Sequence, residues 1–236
     1  MENNKIKTIY NEKNYGIARA LNKGVKFAKK NNFKWILTMD QDSVAEDKMV
    51  DKLLECAKLY ANNSRAVSFS PNILYVREGY DNRKKKSKLY QERLTVITSG
   101  NLIKIDVFNE FIKYEEKLFI DSVDFDFCLK LRINGYKIIR CYNASLTHAL
   151  GEVRFIKIFD IKMHYHVHSY IRKYYIMRNN IYILKKYFLR YPVFCIKKQL
   201  FIFIFIIQSI ILEENKLLNV KYLIKGLIDG IHNKYD

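Results

Sequence analysis

Asp40, Gln41 and Asp42 close the apolar run Trp35-Ile36-Leu37-Thr38-Met39, so two carboxylates one residue apart stand at the end of an expected strand. Open α/β sheets bind ligands at the carboxyl ends of their strands, and paired carboxylates are hard oxygen donors for a divalent cation. Spacing alone says little, because 24 acidic residues produce such pairs by accident and Asp124/Asp126 is a second case. The preceding strand gives the first pair its weight. His148, in Leu146-Thr147-His148-Ala149, would complete a mixed nitrogen and oxygen site suited to Mn²⁺ or Mg²⁺ holding a diphosphate, although a lone histidine is more often a hydrogen-bonded structural residue.

A second acidic group lies in Phe119-Ile120-Asp121-Ser122-Val123-Asp124-Phe125-Asp126. At about 100° per residue Asp121 and Asp124 share one face of a helix start, while Asp126 turns away. Two readings stand for this pair. Asp121 as N-cap with Asp124 three residues on resembles a capping box, and a carboxylate held at a helix start also suits a general base that takes a hydroxyl proton. Ser99-Gly100-Asn101 is a turn whose glycine permits close backbone approach to a ligand, or an ordinary turn. His164, His166 and His168 alternate, which places them on one face only in a strand, and a role other than metal binding is expected of them.

These residues need elements to position them. Apolar spacing predicts a strand over 6–10, a helix over 16–30 with Asn14 as its start signal, and a strand over 34–39, together a βαβ unit with parallel strands. A helix over 47–60 and a strand over 66–70 follow, then a loop over 80–92 holding the basic run Arg83-Lys84-Lys85-Lys86-Ser87-Lys88. Strands at 94–98 and 136–141 flank a helix that begins near Asp121 and stops at Gly135. Helical patterns then take over at 165–189, 193–212 and 216–231. Two regions are therefore expected: an α/β part over 1–155 and a helical C-terminal region over 156–236.

The net charge of +18 favours anionic partners, yet no nucleic-acid-binding module is recognisable, so nucleic acid is not expected as a partner. Cys56, Cys128, Cys141 and Cys195 are scattered without a C-x-x-C, which suggests neither zinc nor a disulfide framework and favours a reducing, cytoplasmic setting. Met1 to Lys5 is polar, and no secretory signal is expected there. Leu200 to Leu212 is almost continuously apolar. Burial against the domain and seating on an anionic membrane surface are both open for it, and its 13 residues make a spanning helix the least favoured reading.

Several segments, in order, resemble glycosyltransferase family 2, particularly its bacterial rhamnosyltransferase-like branch. Asn14-Tyr15-Gly16-Ile17-Ala18-Arg19-Ala20-Leu21-Asn22-Lys23-Gly24 is similar to the family's N-x-G-x-A-x-A-x-N-x-G segment, Asp40-Gln41-Asp42-Ser43 to D-Q-D-S, and Thr98-Ser99-Gly100 to T-S-G. Phe119 to Asp124 with Gly135-Tyr136 resembles the F-I-D-x-V-D helix and G-Y strand. His148 to Gly151 resembles H-x-x-G, and Arg172-Lys173-Tyr174-Tyr175 with Arg178-Asn179 resembles R-x-Y-Y-x-x-R-N.

The resemblance implies an inverting enzyme of GT-A fold, Rossmann-like, with a mixed sheet, helices on both faces and a helical C-terminal region. It would move rhamnose or a similar hexose from a nucleotide diphosphate sugar to a glycan or lipid-linked hydroxyl in cell-surface polysaccharide synthesis, at the inner face of the cell membrane. Asp40, Asp42 and His148 would hold the metal, and Asp124, with Asp121 next in line, would be the base. Asn14, Gly16, Asp40, Ser99, Gly100, Asn101 and Arg178 would contact donor or acceptor. Family members resemble one another in two further strands before the N-x-G-x-A segment. The expectation is thus an incomplete GT-A sheet, an Asp40 strand short of one neighbour, and weak or absent turnover by this polypeptide alone. The alternative function is a non-catalytic fragment, or half of a split enzyme acting with a partner chain.

Overall fold

The computed structural model describes residues 6–76, 88–149, 153–158 and 161–235. Helix α1 (Ile17–Lys30) leads into β1 (Trp35–Thr38), β2 (Ser43–Ala45), α2 (Met49–Leu59) and β3 (Ala66–Val76). Next come β4 (Tyr90–Arg93), β5 (Asn101–Lys104), α3 (Val123–Ile133) and β6 (Lys137–Ala149). A hairpin of β7 (Val153–Ile158) and β8 (Ile161–His166) precedes three helices, α4 (Tyr170–Tyr187), α5 (Pro192–Ile211) and α6 (Lys216–Ile231).

The main sheet runs β1-β5-β3-β6-β2, with β4 also paired to β6. Alternation along the strands sends neighbouring side chains to opposite faces. Ile103 and Ile138 join Ala18 and Val25 of α1 and Phe127 and Leu131 of α3 on one face. Leu102 and Ile139 join Met49, Leu53 and Cys56 of α2 on the other. Helices therefore cover both faces of a mixed sheet, as the sequence leads one to expect. Each fully buried aliphatic side chain there stabilises the fold by roughly 1.5–3 kcal/mol.

Four expectations are corrected. Residues 6–10 form no strand: Ile6 is 77% exposed and Tyr10 86%, so the βαβ unit does not form among the described residues. Only β3 and β6 pair in parallel among the described strands, and β1 pairs β5 antiparallel at the edge of the sheet. Residues 94–98 are not a strand either. Val96 donates its N–H to the Cys128 sulfur and accepts the Cys128 thiol, so α3 takes the bonds that a neighbouring strand would have taken. Finally, Cys56 of α2 and Cys141 of β6, both fully buried, form a disulfide, a pairing that a sequence separation of 85 hid from the sequence. Arg83 to Ser87 of the basic run and Gly151 of the H-x-x-G segment lie outside the described residues.

The C-terminal helices pack closely on one another. A Cβ at Gly226 of α6 would lie 2.3 Å from the Tyr174 carbonyl of α4, so glycine lets the two backbones approach. Lys173 of α4 is fully buried and bonded to Glu213 and Asn219, and Asn219 also donates to the Ser209 carbonyl. That network ties α4, α5 and α6 into one unit.

Candidate active site

Two loop segments meet above the end of β1. Thr38 donates its hydroxyl to the Thr98 carbonyl, and its own carbonyl accepts the Gly100 N–H at 2.7 Å. The chain then leaves the sheet through Asp40-Gln41-Asp42 and re-enters it as β2, where Ser43 stands opposite His148 in the antiparallel register with β6. This register brings a histidine from far along the chain beside the carboxylates. Ligand atoms of Asp40, Asp42 and His148 all lie within 4.8 Å of one another, and His148 Nδ1 is 3.7 Å from an Asp42 oxygen.

A chain of hydrogen bonds supports the triad from below. The buried Ser99 hydroxyl accepts the Asp40 N–H at 3.1 Å and donates to the Ser43 hydroxyl at 2.7 Å, which lies 2.8 Å from His148 Nδ1. When Nδ1–H donates to Ser43, the Nε2 lone pair is free to bind a cation. Burial pushes the Asp40 carboxyl above its ordinary range, His148 counters this, and Asp42 adds to it. A half-buried carboxylate beside a second one is the situation that a bound cation relieves. Two ligands about 2.1 Å from one ion lie at most about 4.2 Å apart, so these residues fit a divalent cation after small side-chain adjustment.

The same cavity, of about 810 Å³, is lined across from the triad by Asp121, Ser122, Asp124 and Phe125. Asp121 and Ser122 both have positive φ, at 64° and 62°, a conformation that costs roughly 1–3 kcal/mol per residue and is held here by its surroundings. Asn179 donates its amide to the Ile120 and Asp121 carbonyls, and Arg172 pairs with the Asp121 carboxylate at 3.3 Å. From the other side, Ile17 donates its N–H to the Phe119 carbonyl. Gly16 sits so close that a Cβ would lie 2.4 Å from that carbonyl, at φ 85°. Helices α1 and α4 thus clamp the acidic turn between them.

No capping box forms. Ser122 occupies the cap position of α3 without a side-chain cap bond, Asp121 points to Arg172, and Asp124 accepts the Phe125 N–H at 2.8 Å. Burial pushes the Asp124 carboxyl up to about 6; the Phe125 N–H and the Lys198 ammonium oppose this and Asp121 adds to it. Asp126 is turned away and fully buried among Lys130, Lys186 and Tyr187, consistent with its angular position.

The structure therefore brings Asp40, Asp42, His148, Asp121 and Asp124 to one cavity. Other sequence candidates lie elsewhere. Arg178 is buried, donating to Asn179 and to the Lys117 carbonyl with Tyr175 beneath it, so it braces the turn from behind and does not reach the cavity. Asn101 is buried and accepts from Ser68. Gly100, with φ 75°, is packed against Pro71, where a Cβ would come within 2.7 Å. The Ser99-Gly100-Asn101 turn is consequently a support for Asp40, while Ile97 and Thr98 form the wall. Asn14 is exposed and accepts the Gly16 N–H at 2.9 Å, shaping the turn into α1.

Three cavity residues carry chemistry that the sequence reading did not assign. His166, His168 and Arg172 line it, with the two imidazoles stacked at 6.2 Å. Burial, with Arg172, His166 and Lys173 nearby, pulls His168 down to about 4 and keeps it neutral. Alternation on β8 and its extension was the only signal, and the helical pattern that follows masked it. Lys198, on α5, lies 4.6 Å from the Phe125 ring centre, and its ammonium is pushed down by burial and held up by Asp124 and Asp121.

Comparison with known proteins agrees with this geometry. The family model described as Glycosyl transferase family 2 matches residues 2–122, half of the chain. The chain is 27% identical to the dTDP-rhamnosyl transferase RfbF of Shigella flexneri over 241 residues, which cover 96% of this chain and 79% of that protein. Its fold is similar to that of GalNAc-T7, solved with UDP, GalNAc and Mn²⁺, at a TM-score of 0.55 and 12% identity over 96% of this chain. The chain spans 44% of that larger protein. The fold is GT-A, and the chain belongs to glycosyl transferase family 2, as a rhamnosyltransferase-like member.

Proposed function

We propose that this glycosyltransferase moves rhamnose or a similar hexose, with inversion, from a nucleotide diphosphate sugar to a hydroxyl of a glycan or lipid-linked acceptor. The observation that carries the reading is one cavity lined both by the Asp40, Asp42 and His148 cluster and by Asp124 and Asp121. The relative named as a dTDP-rhamnosyl transferase supports the donor. Cell-surface polysaccharide synthesis is the matching setting; the Cys56–Cys141 disulfide withdraws the cysteine argument for a reducing compartment.

Asp40, Asp42 and His148 would hold Mn²⁺ or Mg²⁺, whose chemistry there is neutralisation of the charge growing on the departing diphosphate. Ser99 and Ser43 keep that set in place. Asp124, with Asp121 as the second candidate, accepts the proton of the attacking hydroxyl as it approaches the sugar from the face opposite the diphosphate. Holding donor and acceptor in line lowers the barrier through orientation, and the clamped turn from Phe119 to Ser122 keeps the base rigid for that purpose.

The test uses the purified chain, dTDP-rhamnose and Mn²⁺, with release of dTDP as the readout. Metal-dependent release, weak for this polypeptide alone, that disappears with Asp42→Asn and Asp124→Asn is the expected result. Release unaffected by chelation would sink the metal assignment, and no release with any nucleotide sugar would favour the alternative of a non-catalytic fragment or half of a split enzyme.

A further inference from the structure

Helix α5 shows two different faces. Cys195, Ile202, Phe205 and Ser209 are buried on one. Val193, Ile196, Leu200, Phe203, Ile207 and Ile211 recur every three or four positions on the other and remain 40–65% exposed. That spacing forms a single stripe running about 27 Å along the helix. With a mean hydropathy of 1.9 and most of its length exposed, α5 is apolar where a soluble surface helix would be polar. Its buried face packs on the protein, so it is placed to lie along an apolar phase with one side only.

The charge around the stripe chooses the occupant. No acidic residue falls between Pro192 and Leu212. Arg190 precedes the helix and Lys197 flanks the stripe, both exposed. On α6, exposed Leu217, Ile224 and Ile228 share a helical face with Lys221. Glu213 and Asp229 are bonded inward, to Lys173 and Tyr174, leaving Glu214 outside. A chain of net charge +18 repels a second copy of itself and is attracted to an anionic lipid surface.

We infer that α5 docks in the interface of an anionic bilayer, with its Val193-to-Ile211 stripe at the boundary between headgroups and acyl chains. The opposite side of the same helix meets the cavity wall: Phe194 packs edge-on against Phe125 at 5.7 Å, and Phe125 lines the cavity. Bilayer and Asp124 wall then stand on two sides of one helix, itself about 10 Å across, which favours an acceptor carried on a lipid. The acceptor class rests on the glycosyl-transfer reading; the docking does not.

Flotation of the full chain with vesicles tests this. Vesicles of equal parts phosphatidylcholine and phosphatidylglycerol should carry the protein up, less so as salt rises, and phosphatidylcholine alone should carry much less. A chain with Phe203→Glu and Ile207→Glu, and independently one with Val193→Glu and Leu200→Glu, should lose at least about tenfold in partitioning, with unchanged circular dichroism and unchanged dTDP release in solution. Undiminished flotation of both variants overturns the inference. So does a wild-type dimer that the substitutions turn into monomer without wild-type flotation, since a second copy would then cover the stripe. Failure of dTDP release in the wild type would count against the transfer reading alone.

Discussion

Ser43 and His148 face each other across the β2–β6 pairing, 105 positions apart in the chain, with the Ser43 hydroxyl 2.8 Å from Nδ1 of the imidazole. Through Ser99 the same hydroxyl is linked to the backbone of Asp40. One small polar side chain thus joins all three strand ends that carry the proposed metal ligands.

Replacing Ser43 by alanine should loosen the histidine without removing a ligand. Outer hydrogen bonds of this kind are worth about 10–100-fold in metal affinity. Titration calorimetry with Mn²⁺ should show a loss in that range for Ser43→Ala, and none for a Ser43→Thr chain that keeps the hydroxyl.

Chelation should abolish donor turnover, and Mn²⁺ or Mg²⁺ should restore it. Asp42→Asn should lower dTDP release by about 100-fold or more, because the charge on the leaving diphosphate loses its counterweight. Full activity of the variant in chelator would remove the triad from the mechanism.

Activity should rise with pH through about 6, the value to which burial brings Asp124. As the proposed base Asp124 works as the carboxylate, so a raised value moves the acid limb upward, and protonation below that pH switches transfer off. Lys198 favours the ionised form, and Lys198→Met should therefore shift the limb further up. A limb that stays in place in that variant would show Lys198 to be a packing residue only.

Gly16→Ala should destabilise the fold by about 2–3 kcal/mol, since the added Cβ meets the Phe119 carbonyl at 2.4 Å and the backbone sits at φ 85°. A fall in the urea midpoint checks this. The damage should extend to the Asp121 turn, which α1 helps to clamp, and so lower turnover at permissive temperature as well.

Lys173 and Glu213 form a buried ion pair, and removing one partner leaves a charge without a counterpart. Lys173→Met should cost about 3–5 kcal/mol, while Lys173→Met combined with Glu213→Leu should cost distinctly less. Equilibrium unfolding of the three chains reads the difference.

Much of this protein is legible from local pattern. Helical periodicity marks α1, α2, α3 and the three C-terminal helices, because a 3.6-residue repeat of apolar side chains is written within one segment. The acidic motifs were visible as well: Asp40 and Asp42 by their strand, Asp121 and Asp124 by their helix start. What failed were features whose partners lie far away in the chain. A strand over 94–98 looked equally good in sequence, yet the Cys128 sulfur captured Val96. Arg178, which the family resemblance offers as a donor or acceptor contact, is packed among Tyr174, Tyr175 and Tyr235, a burial that local pattern does not show.

By itself the amino-acid sequence determined which residues are chemically able to act: two acidic groups, a histidine, and the glycine at the entrance of α1. Only the tertiary structure decided that the acidic groups and the histidine line one cavity. The β2–β6 register carried His148 to Asp42, the positive φ of Asp121 and Ser122 set the turn before α3, and the packing of α5 left one of its faces bare. Residue type and spacing are local properties of the chain, whereas register, burial and exposure are settled by competition among all segments for the same core and the same hydrogen bonds.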